Sequence, residues 1–199
     1  MKNQNHPPPG SKIAVSPIRF KKDIKAIKKI LKDEPRNLAM FTLGINTALR
    51  ASDLLKLTYG QLASVKEGEF FNINEKKTAK KRFVTINQSS CEVIKKYLKY
   101  RPKTSLDSPF FLSQKWVHGR QITTSSLNQL VKKWCHEINL DGNYGSHTLR
   151  KTFGYHQRVN FKVDIPTLMV AFNHSTQAQT LAYLGIQDED VYNVFMNNL

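Results

Sequence analysis

Cysteine is nearly absent from this chain. Cys91 and Cys135 are the only two, and neither has metal-ligand spacing, so a dense disulfide framework and a cysteine-built zinc site are excluded. Both sit in amphipathic segments and are expected as buried, reduced thiols. Long apolar runs are missing too: none approaches the roughly 18 residues that a membrane-spanning helix needs. Residues 1–10 lack an apolar stretch of signal-peptide type, and the sequence reads as cytoplasmic. Acidic residues are scarce, 15 against 31 Lys and Arg, leaving a formal charge of +16. Carboxylate clusters of the kind that hold Mg²⁺ are absent, so no metal is expected. The cation surplus requires a polyanion or an anionic surface as partner. On charge alone an RNA-binding protein would satisfy it. Apolar residues make up 40% of 199, enough for one packed core of ordinary size.

Periodicity sets the organisation. Residues 1–16, with Pro7-Pro8-Pro9-Gly10, read as a flexible tail, and 17–199 as one domain. A basic amphipathic helix is predicted over Lys21–Lys32, with Ile24, Ile27, Ile30 and Leu31 on one face. Pro35 opens a second helix running through Phe41 toward Leu49-Arg50, followed by a short one over Ser52–Leu57. Residues 69–87 change period: Phe71 and Ile73, then Phe83 and Ile86, flank a polar stretch, giving a β-hairpin with a Lys-rich turn. Helices follow after Ser89-Ser90, over Ser125–Ile138, His147–Val159, Ile165–Phe172, Thr176–Tyr183 and Asp188–Asn198, with a short strand at Pro109–Leu112 and a turn at Gly142–Gly145. The fold class is α+β, mostly helical, with a small antiparallel sheet.

Four places could carry chemistry. Leu49-Arg50-Ala51-Ser52-Asp53-Leu54 places an Arg three residues before an Asp, which by itself reads as an internal ion pair. In His147-Thr148-Leu149-Arg150-Lys151, His147 and Arg150 stack on one helix face. Asn173-His174-Ser175 lies nine residues before Tyr183. A lone His is commonly a structural hydrogen-bonder, and a Tyr on an apolar face is commonly core. Lys76-Lys77-Thr78-Ala79-Lys80-Lys81-Arg82 at the hairpin tip reads alone as a solvated turn.

Taken together, the order Arg50, Lys77, His147, Arg150, His174, Tyr183 resembles the tyrosine recombinase (phage integrase) family. That family runs Arg-x-Ser-Glu/Asp-Leu, a hairpin Lys, His-x-Leu-Arg, Gly-His-Ser, and a Tyr nine residues after the last His. This chain has R-A-S-D-L, K-K-T-A-K, H-T-L-R, N-H-S and T-L-A-Y. The likeness covers about residues 36–185, the family's catalytic domain. The residues before it are too few for the helical core-binding domain of most members, so the length resembles either the small fimbrial-switch invertases or a fragment of a longer chain. Lys151 stands where a second His is frequent, and Asn173 replaces the usual Gly. Because Asn tolerates positive φ, the same turn is expected there.

The resemblance implies attack of the Tyr183 oxygen on a DNA phosphodiester, giving a 3′-phosphotyrosyl link and a free 5′-hydroxyl without ATP. Arg50 and Arg150 would grip the non-bridging oxygens, with His174 as a third donor. His147 would exchange a proton with Tyr183. Lys77 would protonate the departing oxygen, and Asp53 would orient Arg50. Lys76, Lys80, Lys81, Arg82 and Lys151 are assigned to DNA contact. Lys21–Lys32, Arg101-Pro102-Lys103, Lys115, Arg120 and Lys132-Lys133 are candidates to clamp its backbone. Double-stranded DNA is the expected partner, with self-association on it as dimer or tetramer through the apolar segment Asp188–Leu199. A DNA-binding accessory module of the same fold without cleavage, and a type IB topoisomerase, are the competing readings.

Overall fold

The computed structural model describes residues 15–74, 81–113, 120–185, 192 and 194–198. Its elements run α1 (Lys21–Ile30), α2 (Pro35–Asn46), α3 (Ala51–Leu55), α4 (Tyr59–Leu62), β1 (Phe70–Asn74), β2 (Lys81–Thr85), α5 (Gln88–Leu98), α6 (Thr124–Glu137), α7 (Ser146–Val159), α8 (Ile165–Phe172) and α9 (Gln177–Leu184). The mostly helical fold with one small antiparallel sheet is as expected. Among the described residues no helix is long and apolar enough to cross a membrane.

Helix α2 is the axis of the core. Every residue from Asn37 to Gly44 is buried, because α5 and α7 both pack on it. A Cβ at Gly44 would lie 2.6 Å from Leu149 Cδ1, so the absent side chain lets α7 approach this closely. Phe41 meets Trp134 of α6 edge to face at 5.9 Å. Burying rings of this size contributes about 1.5–3 kcal/mol each. Cys91 and Cys135 are buried free thiols, and burial pushes Cys135 up to about 12. A smaller cluster of Ala48, Leu168, Phe172 and Leu184 joins α7, α8 and α9 beneath the residues singled out above.

The hairpin register pairs Phe71 with Val84 and Asn72 with Phe83. Val84 and Ile86 therefore turn inward with Phe71 and Ile73. Phe83 is exposed and meets Phe70 edge to face at 5.3 Å on the opposite surface. Pro109–Leu112 forms isolated bridges to Thr58 and Gln121 instead of a strand. Its Phe110 and Phe111 are fully buried against Tyr97. Ile30 lies at an exposed edge of α1. Helix α2 stops at Asn46, short of Arg50, and Ala48 adopts a left-handed φ of 52°.

Candidate active site

Helix α7 carries His147 and Arg150 one turn apart, so its start decides where both stand. The residue before it, Gly145, has no side chain to cap the helix. Asn128 of α6 does so instead, its Oδ1 accepting from Ser146 N at 2.9 Å. A Cβ at Gly145 would fall 2.3 Å from that oxygen, so only glycine permits the contact. Asn128→Ala should therefore cost about 1 kcal/mol in urea unfolding. Asn128→Asp keeps the acceptor and places negative charge at a helix N-terminus, so it should hold near wild-type stability. Equal stability of all three proteins would contradict the capping role.

Arg150 is 1% exposed. A buried guanidinium persists only when hydrogen-bonded, and three elements supply its partners. Nη1 donates to the Ala48 carbonyl at 2.5 Å. Nη2 donates to the Phe172 carbonyl at 2.7 Å and to His174 Nε2 at 3.1 Å. Arginine has no acceptor, so His174 Nε2 must accept. Its Nδ1 then carries the proton and donates to Thr180 Oγ1 at 3.0 Å. The imidazole is thus fixed as the neutral Nδ1–H tautomer.

Phe172 is the floor of the site. His174 stacks on its ring at 5.1 Å, Arg150 lies over it at 4.8 Å, and Tyr183 leans on it at 5.4 Å. Tyr183 also stands 5.3 Å from both the Arg150 guanidinium and the His174 ring. Asn173 makes this convergence possible with φ 54° and ψ 49°, the left-handed turn expected of a Gly replacement. Gly154 lets α7 close on α9, since a Cβ there would lie 2.8 Å from Phe172 and 3.2 Å from the Tyr183 carbonyl. Tyr155 instead packs beneath Arg19, and Tyr192 is exposed.

Arg50 precedes α3 and faces the buried Asp53 carboxylate at 3.9 Å. Arg50 and His147 line one cleft of about 410 Å³ with Ser52, Ser125, Asn128 and Ser146. His147 keeps an exposed edge, yet partial burial, and then the positive charges of Arg150, Lys151 and Arg50, hold its pKa below the usual histidine value. It is therefore neutral at pH 7 and able to accept a proton. Lys151, next along α7, is half-buried, and burial lowers its pKa.

Five of the six predicted catalytic residues thus fall on adjoining parts of α3, α7 and the α8–α9 unit. Lys77, together with Lys76, Lys80 and Lys115, lies outside the described residues. Lys81 and Arg82 start β2. Arg101 is corrected: it is buried and donates to the Phe110, Pro109 and Pro102 carbonyls, holding the loop that the two isolated bridges pin only at Pro109 and Leu112. Sequence reasoning missed Phe172, Thr180, Asn128 and the Ala48 carbonyl. A Phe two residues before His174 and a Thr six residues after it were the only local signals. Among the described residues, no group of three or more His, Cys, Asp or Glu is placed to hold a metal ion.

The family model for the phage integrase family matches residues 20–190. The chain is similar to the probable integrase/recombinase YoeC of Bacillus subtilis, 34% identical over 186 residues covering 91% of this chain and 97% of that protein. It is 31% identical to the tyrosine recombinase XerC of Caldanaerobacter subterraneus subsp. tengcongensis, over 78% of this chain but only 43% of the relative. Among solved structures, XerA recombinase aligns with a TM-score of 0.72 at 18% identity, over 96% of this chain and 66% of that one. A post-cleavage complex of XerH recombinase with a palindromic difH substrate aligns at 0.71 and 20% identity, over 88% and 49%.

Proposed function

The chain belongs to the phage integrase family, and on that premise we propose that it cuts and rejoins double-stranded DNA site-specifically through Tyr183. The observation that carries this reading is the meeting of Tyr183, Arg150 and His174 over Phe172. The resemblance to a probable integrase/recombinase over nearly its full length supports it.

The phenolic oxygen of Tyr183 forms a bond to phosphorus as the bond to the 5′-oxygen breaks. The phenol proton passes to neutral His147, and a proton from Lys77 goes to the leaving oxygen. Arg50 and Arg150 offset the charge that builds on the non-bridging oxygens. Seating the phosphate exchanges the Arg150–His174 bond for bonds to those oxygens. His174, released from Arg150, takes a proton from solvent at Nε2 as the anionic phosphate arrives and donates it to a non-bridging oxygen, while Nδ1 keeps Thr180. The phosphotyrosyl link retains the bond energy, so rejoining needs no ATP, and charge stabilisation by the two arginines needs no metal. Joining ends from two duplexes requires several copies on DNA, dimer or tetramer, with the segment 188–199 as the link. Tyr192, Val194, Phe195 and Met196 of that segment are exposed.

A nicked suicide duplex tests the reading, because loss of the short 5′ fragment traps the covalent complex. A protein–DNA adduct that survives denaturation is expected. Tight DNA binding without any adduct would favour an accessory module.

Lys77 precedes Thr78 in a Lys-Thr-x-Lys run, the pattern of the family's hairpin lysine. A positioned acid contributes about 10²–10⁴-fold. Lys77→Ala should cleave ordinary DNA slower by about that factor. Sulfur in place of the bridging 5′-oxygen makes a leaving group that barely needs a proton, so the variant should recover on it. Equal impairment on both substrates would reassign Lys77 to phosphate binding.

A further inference from the structure

Residues 15–20 run across the outer side of α7 ahead of the first helix and are fixed at several points. Ser16 N donates to the Asn143 carbonyl at 2.8 Å. Ile18 is fully buried, and its N donates to Thr152 Oγ1 at 2.9 Å. The Ile18 carbonyl sits 2.9 Å from His156 Nε2. His156 Nδ1 faces the Asn160 amide nitrogen, which can only donate, so Nε2 must be the nitrogen that donates to Ile18. The strap is thereby bound along α7, the helix of His147 and Arg150.

Its other contact is with the helix of the nucleophile. The Arg19 guanidinium lies 5.1 Å over the Tyr155 ring of α7 and donates through Nη2 to the carbonyl of Gly185. Gly185 ends α9 in a left-handed turn, φ 63°, two residues beyond Tyr183. Pro17 packs on the same glycine so closely that a Cβ there would lie 2.6 Å from Pro17 Cγ. A cation at a helix C-terminus is also favourably placed against the helix dipole.

We propose that Arg19 is a positioning residue for the cleavage reaction, joining the C-terminal end of α9 to α7 so that Tyr183 keeps its place beside Arg150 and His174. The geometry favours this over a direct DNA role, because the guanidinium is held between Tyr155 and the Gly185 carbonyl. The inference rests on Tyr183 being the nucleophile. A misplacement of about 1 Å at a reacting atom can cost on the order of 10²-fold.

The test uses the full chain, with adduct formation on the suicide duplex, DNA affinity, and amide hydrogen exchange in α9 measured together. Arg19→Ala should slow adduct formation about ten- to a hundredfold, leave DNA affinity unchanged, and speed exchange in the last turn of α9. Arg19→Gln retains an N–H donor without the charge and should recover part of the rate. Gly185→Ala disturbs the same joint from the other side, and combining it with Arg19→Ala should add little to the larger single effect. Wild-type rate for Arg19→Ala would overturn the proposal, whatever the exchange shows. A rate lost in proportion to DNA affinity, with Gln no better than Ala, would make Arg19 a phosphate contact. If the wild type itself forms no adduct, the proposed function fails, and unchanged α9 exchange in Arg19→Ala would then separately sink the strap.

Discussion

Tyr183→Phe is expected to bring the covalent adduct on nicked DNA down to background while DNA affinity and folding stability stay near wild type. The change removes one oxygen and leaves the ring. That ring packs on Phe172 and lies beside the Arg150 guanidinium and the His174 imidazole, contacts a phenylalanine can keep. Stability should shift by no more than about 0.5 kcal/mol, as for substitutions that disturb no packing. The loss of adduct is total because nothing replaces a missing nucleophile. Two other tyrosines are the controls. Tyr155 belongs to the Arg19 contact on α7. Tyr192 is exposed. Both Tyr→Phe variants should still form adduct. An adduct that survives Tyr183→Phe and vanishes with Tyr192→Phe would move the nucleophile.

Side chains that act through a fixed sequence interval were legible in advance. His147 and Arg150 share a helix face because three residues make most of a turn, and His174 reaches Tyr183 because a left-handed Asn173 sits between α8 and α9. The family resemblance added roles that the intervals alone did not carry. What stayed hidden has no side-chain signature. The Ala48 carbonyl binds Arg150 only because α2 ends early, and backbone carbonyls look alike in every sequence. Phe172 reads as ordinary core, and only the fold shows three polar groups resting on its ring. Asn128 caps a helix that begins 18 residues later, a tertiary contact invisible to local capping rules. The errors have similar causes. Arg101 looked like surface charge, yet an irregular loop needed its donors. Phe110 and Phe111 suggested a strand because strands and buried loops both concentrate aromatics.

Arg150 offers the sharpest separation between charge and geometry. Arg150→Lys keeps a positive charge at the same helix position but loses the planar fork that reaches the Ala48 carbonyl, the Phe172 carbonyl and His174 together. Each transition-state donor removed costs on the order of 10²–10³ in rate, so adduct formation should fall at least that far. Arg150→Ala should fall as far or further. It also leaves buried carbonyls without their donor, at about 1–3 kcal/mol apiece. Its assay therefore belongs well below the unfolding temperature, with a denaturant titration confirming that the protein is folded there. The bridging-sulfur substrate then divides Arg150 from Lys77. A better leaving group relieves the need for an acid but does nothing for charge on the non-bridging oxygens. Both Arg150 variants should thus stay defective on the sulfur substrate, where Lys77→Ala recovers. Near-wild-type cleavage by Arg150→Lys would mean that position 150 supplies only a diffuse field. In that case the bonds from Arg150 to Ala48 and Phe172 hold α8 and α9 in place, and Arg50 alone grips the phosphate.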